Sequence, residues 1–461
     1  MFQFHNKSSM TPPRRRQHVQ YQLLSLCILS QLFFYHSWPL RPDRILAILT
    51  LVYFAAMYSR GDIGKLKIQT IEVCMIAFTI LCGASLIQGD VLGLTGTDQS
   101  TAIQQVINIS LFPFLFYFVA KRLNYNRNEV QAFIKLLMFI GLYLGLTALC
   151  ERYSINALIW PSYIADATLG IHYGRARGPL LNSVFLGMIL VFCVMNLLTL
   201  WSVTKRTLPR QLLAAGILLC MVGVYLTNTR GVWIGLGTAL MTTFLFKVRM
   251  RRMVAVAIGI VVLSYLFVGA SQFSIFKDTL FSKRQNTVVD REVNNMVALK
   301  MGSENPVFGI GWGRMGKEFN VYHKMIGSPE FDGWDGNHNE YLGIFAQIGT
   351  IALILYGIIL ISIIRMVLNT YRRLPRHMEF ERAYAVSTLG CFLCYLVIAM
   401  FSDIHSSPLH NNLVFLLVGI VASISARSRN PLGGDEGTVQ APNRGKTPAG
   451  ILQRLPGQSN S

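Results

Sequence analysis

Charge is what this sequence has least of. Asp, Glu, Lys and Arg make up only 14% of its 461 residues, whereas a soluble domain carries about a quarter. That deficit excludes a soluble globular enzyme, and the 52% of hydrophobic residues excludes a disordered chain. Acidic residues are the scarcer half, with 22 Asp and Glu against 42 Lys and Arg and a formal net charge of +20. Nucleic-acid binding does not follow, because the excess sits in short connectors between apolar runs and in the C-terminal segment. Cysteine does not form the spaced framework of a secreted scaffold. Cys27, Cys74, Cys82, Cys150, Cys193, Cys220, Cys391 and Cys394 all lie in or beside apolar runs, where they read as small packing residues, so neither a disulfide nor a zinc site is expected. Small cleavage-site residues are missing after the first run, where Phe34, Tyr35, His36 and Trp38 stand instead, so that run is expected to stay attached.

What is abundant is the apolar stretch of about 20 residues that a helix needs to cross a hydrocarbon core of roughly 30 Å with every backbone amide paired. Such stretches lie near Leu23–Leu40, Ile45–Met57, Ile71–Ile87, Ile103–Ala120, Val130–Cys150 and Leu180–Leu200, then Leu212–Leu226, Val232–Phe246, Val254–Ala270, Tyr341–Val367, Ala383–Met400 and Leu413–Ser423. They predict an all-α polytopic membrane protein of about twelve helices, the tenth of which can break near Gly349. Alternate connectors are basic, from Arg14, Arg15 and Arg16 to Arg372, Arg373 and Arg376, while 88–101 has no Lys or Arg. Positive side chains are held on the cytoplasmic side, so both termini are expected inside. The organisation expected is a cytoplasmic segment over 1–20, a membrane domain over 21–425, and a disordered cytoplasmic tail over 426–461. A large outer loop at 271–340 separates spans nine and ten.

Long loops usually carry function, and two face outward, Glu151–Gly178 and Ser271–Glu340. In the second, Val289, Val293, Met296, Val297 and Met301 recur at helical spacing opposite Arg291, Asn294, Asn295 and Lys300. This stripe predicts a helix that either lies on the membrane interface or packs on the bundle. The following Asn305-Pro-Val-Phe-Gly-Ile-Gly-Trp-Gly-Arg-Met-Gly segment fits G-x-G-x-x-G over Gly311–Gly316. Without a strand before it and a helix after it, close backbone approach is the better reading than a dinucleotide site.

Three outward places combine charge with a span end. Arg175 and Arg177 precede Gly178-Pro179, Arg230 sits in Thr227-Asn-Thr-Arg-Gly-Val-Trp-Ile-Gly, and His338 lies in Asp335-Gly-Asn-His-Asn-Glu-Tyr-Leu. A single arginine at a span end usually snorkels, but together the set suits transfer from a lipid diphosphate. Guanidinium forks grip phosphate oxygens and neutralise a diphosphate leaving group. A neutral histidine removes the proton of an attacking hydroxyl, worth typically 10²–10⁴-fold. Asp332, Asp335 and Glu340 stand beside His338 without a D-x-D pair, so no metal and no cofactor are expected.

Asn228-Thr-Arg-Gly-Val-Trp-Ile-Gly, Glu304-Asn-Pro-Val-Phe-Gly-Ile-Gly and His338-Asn-Glu-Tyr-Leu-Gly-Ile-Phe-Ala-Gln-Ile-Gly resemble segments of the O-antigen ligase and polymerase superfamily, over roughly Arg175 to Val367. The resemblance implies a GT-C-like fold and a large periplasmic loop. It also implies an active site on the periplasmic face of a bacterial inner membrane, without nucleotide sugar or metal. The donor it implies is an undecaprenyl-diphosphate-linked glycan, the acceptor a lipid A core, another glycan or a protein. His338 becomes the candidate base, Arg230 and Arg175 the diphosphate contacts, and Arg177 and Arg291 further substrate-binding candidates. Here Arg177-Gly-Pro-Leu-Leu-Asn182 is shifted from the family pattern, which leaves Arg175 and Arg177 as alternatives. A ligase is favoured over a polymerase or a protein O-oligosaccharyltransferase. A transporter stands further off, because the charges nearest span interiors, Glu72 and Lys135, lie close to span ends.

Overall fold

The computed structural model describes residues 11–33, 42–63, 68–89, 97–246, 280–326 and 338–429, together with Ala255 and Gly259. The helices are α1 (Pro12–Phe33), α2 (Pro42–Ser59), α3 (Thr70–Gln88), α4 (Thr97–Val106), α5 (Phe112–Arg122), α6 (Arg127–Arg152), α7 (Ser183–Val203) and α8 (Thr207–Leu226). They continue as α9 (Arg230–Phe246), α10 (Leu280–Glu304), α11 (Met315–Met325), α12 (Glu340–Ile348), α13 (Thr350–Arg373), α14 (Glu379–Ala399) and α15 (Pro408–Arg429). Among the described residues eight helices are long and apolar enough to cross a membrane: α3, Thr101–Arg122, α6, α7, α8, α13, α14 and Pro408–Ser428. The apolar α9 is shorter. The chain is a polytopic α-helical membrane protein. The expected span Val254–Ala270 falls outside the described residues but for Ala255 and Gly259, as do Asp332, Asp335 and the tail beyond 429.

Burial ranks the helices. The span windows of α7 and α15 are each 94% buried, while those of α8 and α13 are 33% buried. The peripheral helices turn one apolar face outward, Ile351, Ile354, Ile358 and Ile361 on α13 and Val73, Ile76 and Ile80 on α3, at the three- and four-residue spacing of a single helical stripe. In lipid such a face gains nothing from leaving the solvent, so close packing has to hold the helices together. Small residues provide it. A Cβ on Gly141 of α6 would stand 2.8 Å from the Cys193 Cβ of α7 and 2.9 Å from the Cys220 Sγ of α8, so these cysteines fill the space against a glycine.

Three boundaries differ from the expectation. α1 starts at Pro12 rather than near Leu23, because its early charges are answered across the bundle: Arg16 Nη2 lies 2.6 Å from the Asp62 carboxylate and Arg14 Nη2 lies 2.9 Å from Glu129 Oε2. The expected tail boundary at 426 is passed by α15, which runs to Arg429. The expected span Ile103–Ala120 is interrupted by a π-helical turn at Ile107–Leu111. Pro113 has no N–H to give the Ile109 carbonyl, and the Phe112 N–H reaches back to the Ile107 carbonyl instead. The Asn108 carbonyl takes its hydrogen bond from Asn411 Nδ2 of α15 at 2.9 Å. The long tenth span does break at Gly349, whose φ of 90° is a left-handed conformation that favours glycine.

Candidate functional site

The elements opposite the start of α1 form one connected end of the bundle. There hydrogen bonds tie the 153–182 connector to the α8–α9 turn and α12 to the α14–α15 connector, and Gly231 lies against Phe401 between them.

Arg177 is the first correction of emphasis. It is 1% exposed, and its guanidinium donates to the carbonyls of Leu169 at 2.6 Å, Ile164 at 2.9 Å and Asp166 at 3.0 Å. It also lies 4.9 Å from the centroid of the Tyr173 ring. Its backbone N–H donates to the Glu151 carboxylate at 3.0 Å, next to that of Gly178 at 2.8 Å. The fork is occupied by the loop's own backbone, which makes Arg177 the residue that shapes 164–178. Asp166, whose carboxylate accepts from the Thr168 hydroxyl and N–H at 2.7 and 2.8 Å, is held below its ordinary pKa by those bonds.

Arg175 is half-buried on the turn this loop makes. Next to it the Ala176 N–H donates to the Leu226 carbonyl at 3.2 Å, which fastens the turn to the end of α8. A second tie passes through buried Ser183, whose Oγ lies 2.9 Å from His172 Nδ1 and 3.1 Å from Thr229 Oγ1. Thr229 directly precedes Arg230, which is exposed at the first position of α9. The positive end of a helix dipole adds to the guanidinium charge there. The structure thus brings the Arg175 loop and the Arg230 turn together.

His338 is half-buried and directly precedes the cap of α12. Asn339 Oδ1 accepts from the N–H groups of Tyr341 and Leu342 at 3.1 and 3.2 Å, the bonding an N-cap supplies. Glu340, 1% exposed, accepts from His405 of the α14–α15 connector, at 2.9 Å from Nδ1 and 3.2 Å from the backbone N–H. That connector begins at Phe401, and a Cβ on Gly231 would stand 3.4 Å from the Phe401 ring. A continuous run of contacts therefore leads from the Arg175 loop through Arg230 and the 401–405 connector to the residue after His338. His405 itself was missed in the sequence, where it is one polar residue in a short connector.

The glycine segment inserts Trp312 into this end. Trp312 is fully buried, its Nε1–H donates to Gln105 Oε1 at 3.1 Å, and its ring stands edge-on to His405 at 5.5 Å. The Ile310 and Gly311 N–H groups donate to the Ala346 and Gln347 carbonyls at 2.9 and 3.0 Å. Gly309, at φ 68°, faces the 346–348 backbone too closely for a Cβ. Close backbone approach is thus the role this segment performs. Arg291 is exposed on α10. On the other face Val293, Val297 and Met301 are buried with Ile310, Met315, Phe319 and Ala346, while Met296 and Leu299 stay exposed.

Ligand-type atoms of Glu340, Asp403 and His405 lie within 4.8 Å of one another. Glu340 and His405 already bond to each other, and a protonated Nδ1 cannot ligate a metal, so the geometry fits an ion pair better than a cation site. Burial lowers the His405 pKa, but the Glu340 charge and hydrogen bond, helped by Asp403, outweigh it and hold His405 at about 9.

Residues 214–357, from early α8 to the first two turns of α13, match the family model described as O-antigen ligase. The matched region resembles the O-antigen ligase family. It contains Arg230, Arg291, Glu340 and His338, and leaves Arg175 and His405 on either side. No curated protein matches the chain.

Proposed function

We propose that the protein transfers a glycan from an undecaprenyl-diphosphate carrier to an acceptor hydroxyl as an O-antigen ligase, in a bacterial inner membrane. In this reading about twelve spans place both termini in the cytoplasm and the site in the periplasm, with 21–425 as the membrane domain and 271–340 as its large loop. One observation carries it: the contacts that tie the Arg175 loop, the Arg230 turn and the start of α12 to one end of the bundle, inside or beside the matched region.

The acceptor oxygen attacks the anomeric carbon of the donor sugar, and the bond to the diphosphate breaks. His338 takes the proton of the attacking hydroxyl. Undecaprenyl diphosphate departs with its electron pair, and Arg230 and Arg175 receive the charge that develops on it. Planar forks suit that task, since each binds two phosphate oxygens in fixed geometry. Arg291, exposed on α10, is a further candidate for contact with the glycan. Arg177 supports this reading indirectly, by holding the loop that presents Arg175. No cofactor enters these steps.

His338→Ala expressed in a deletion strain tests the reading. The variant is expected to be inserted at the wild-type level and to lose long glycan from the lipid A core while polymerised undecaprenyl-linked chains accumulate. Accumulation of single repeats would establish a polymerase instead. Unchanged surface glycan would remove His338 from the mechanism.

A further inference from the structure

Three consecutive residues after His338 are anchored, each to a different part of the protein. Asn339 caps α12 from within, Glu340 is bonded to His405 of the α14–α15 connector, and the Tyr341 hydroxyl donates to the Leu396 carbonyl of α14 at 3.0 Å. The cap alone suffices to start a helix. A buried ion pair adds little to stability, because taking both charges out of water costs about what their attraction returns, and apolar replacements often serve as well. Its placement two residues from His338 therefore calls for a geometric explanation.

We propose that Glu340 and His405 are positioning residues that fix the direction in which His338 leaves α12, and so hold the base against the acceptor hydroxyl. This rests on the transferase reading above. A misplacement of about 1 Å at a reacting centre costs on the order of 10²-fold in rate, which is the precision two cross-chain anchors supply. The pair also couples the two halves of the site. His405 shares its connector with Phe401, which lies against Gly231, so the residues that hold the base and the arginine on α9 belong to one framework.

Among the described residues, the groups around the pair include Asp403 on the same connector, Tyr341 beside Glu340, Cys82 of α3, Tyr356 of α13 and Tyr395 of α14, with the Trp312 ring across His405. The His405 pKa is raised in the folded protein, so the pair is complete below the ordinary value of 6.5 and is lost as pH rises through about 9. The cationic form is the one that donates Nδ1–H while retaining attraction for the carboxylate.

The test uses the full chain in lipid nanodiscs with a synthetic undecaprenyl-diphosphate oligosaccharide as donor and lipid A core extracted from the host strain as acceptor. Glu340→Gln and His405→Phe are expected to lower kcat by about 30-fold or more with the donor KM within about twofold, while Glu340→Asp and His405→Lys recover part of it. Wild-type activity is expected to fall above pH 9, and His405→Lys to lack that limb. A second measurement needs no turnover: the rate at which diethyl pyrocarbonate modifies His338, read by peptide mass spectrometry, is expected to rise at least about threefold in Glu340→Gln as the side chain is released. Wild-type kcat and modification rates in the variants would overturn the proposal. So would losses of kcat and KM that follow the melting temperature, or an activity abolished by EDTA and restored by a divalent cation. If the wild type transfers nothing while His338 modification still responds to Glu340→Gln, the transferase reading fails and the positioning stands.

Discussion

The two ends of the bundle treat their charges differently. At the end where α1 begins, cations meet anions: Arg14 with Glu129, Arg16 with Asp62, and Lys121 with Glu72, which is buried at the first turn of α3. Arg382 closes the α13–α14 connector by donating to the carbonyls of Leu374 and Tyr371, at 2.6 and 2.9 Å. At the opposite end the pairs Lys300–Glu304 and Arg314–Glu318 stay within one helix or its cap, Arg177 is bound to its own loop, Glu340 is matched by a histidine, and Arg230 stands exposed. Charges of the first kind are satisfied within the fold and serve assembly. Under the proposed function, the exposed Arg230 guanidinium at the first position of α9 serves an anion brought by the substrate.

The same substitution made at two arginines sharpens this contrast. Arg230→Gln is expected to have the largest effect on activity, a loss of about 10²–10³-fold in transfer with an unchanged melting temperature, because only the transition-state charge loses its partner. Arg230→Lys should fail nearly as far, since an ammonium lacks the fork. Steady-state transfer from the lipid-linked donor checks both, and a fully active Arg230→Lys would return Arg230 to the membrane interface. Arg177→Gln is expected to cost about 3 kcal/mol of stability by leaving the carbonyls of Ile164, Asp166 and Leu169 short of donors in a buried place. Thermal unfolding in detergent checks that, with the residual folded protein expected to keep its donor KM. An Arg177→Gln protein of normal stability that had lost donor binding would give Arg177 the role assigned to Arg175.

The fold was legible where one property repeats. Runs such as Ser183–Val203 and Arg127–Arg152 announce themselves because each needs apolar residues on every face or on a broad stripe, and the α12–α13 break was visible in Gly349. The π-turn at Ile107–Leu111 was not, because it depends on both Pro113 and a hydrogen bond from Asn411, three hundred residues away in the chain. The start of α1 was misread for a related reason: Arg14 and Arg16 look like a flank until Glu129 and Asp62 are seen beside them. In the site, residue types at span ends drew attention to Arg175, Arg230 and His338. The same signal could not separate Arg175 from Arg177, since both are arginines in one loop and only the carbonyls of Ile164, Asp166 and Leu169 distinguish them. Nor could it find His405, whose meaning comes from Glu340 across a span and back.

The smallest expected effect lies at the α1 end and tests whether its charges only assist assembly. Asp62 is held below the ordinary carboxylate pKa by its hydrogen bond to Arg16, with the charges of Arg16 and Arg60 adding to this against some desolvation. A group whose pKa is depressed on folding stabilises the fold above its unfolded value, near 3.8, and loses that contribution as pH falls through the lower folded value. Asp62→Asn should therefore lower the melting temperature slightly at pH 7, make no difference in strongly acidic solution, and leave transfer untouched. Because the Arg16 side chain of the pair is partly exposed, its contribution should shrink as salt is raised from 0.01 M, where charges act over roughly 30 Å, to 1 M, where the range is about 3 Å. Melting curves of the two proteins at both ionic strengths, alongside transfer assays, decide the matter. A clear loss of activity in Asp62→Asn at full stability would mean that the two ends communicate, and the division of labour between them would have to be abandoned.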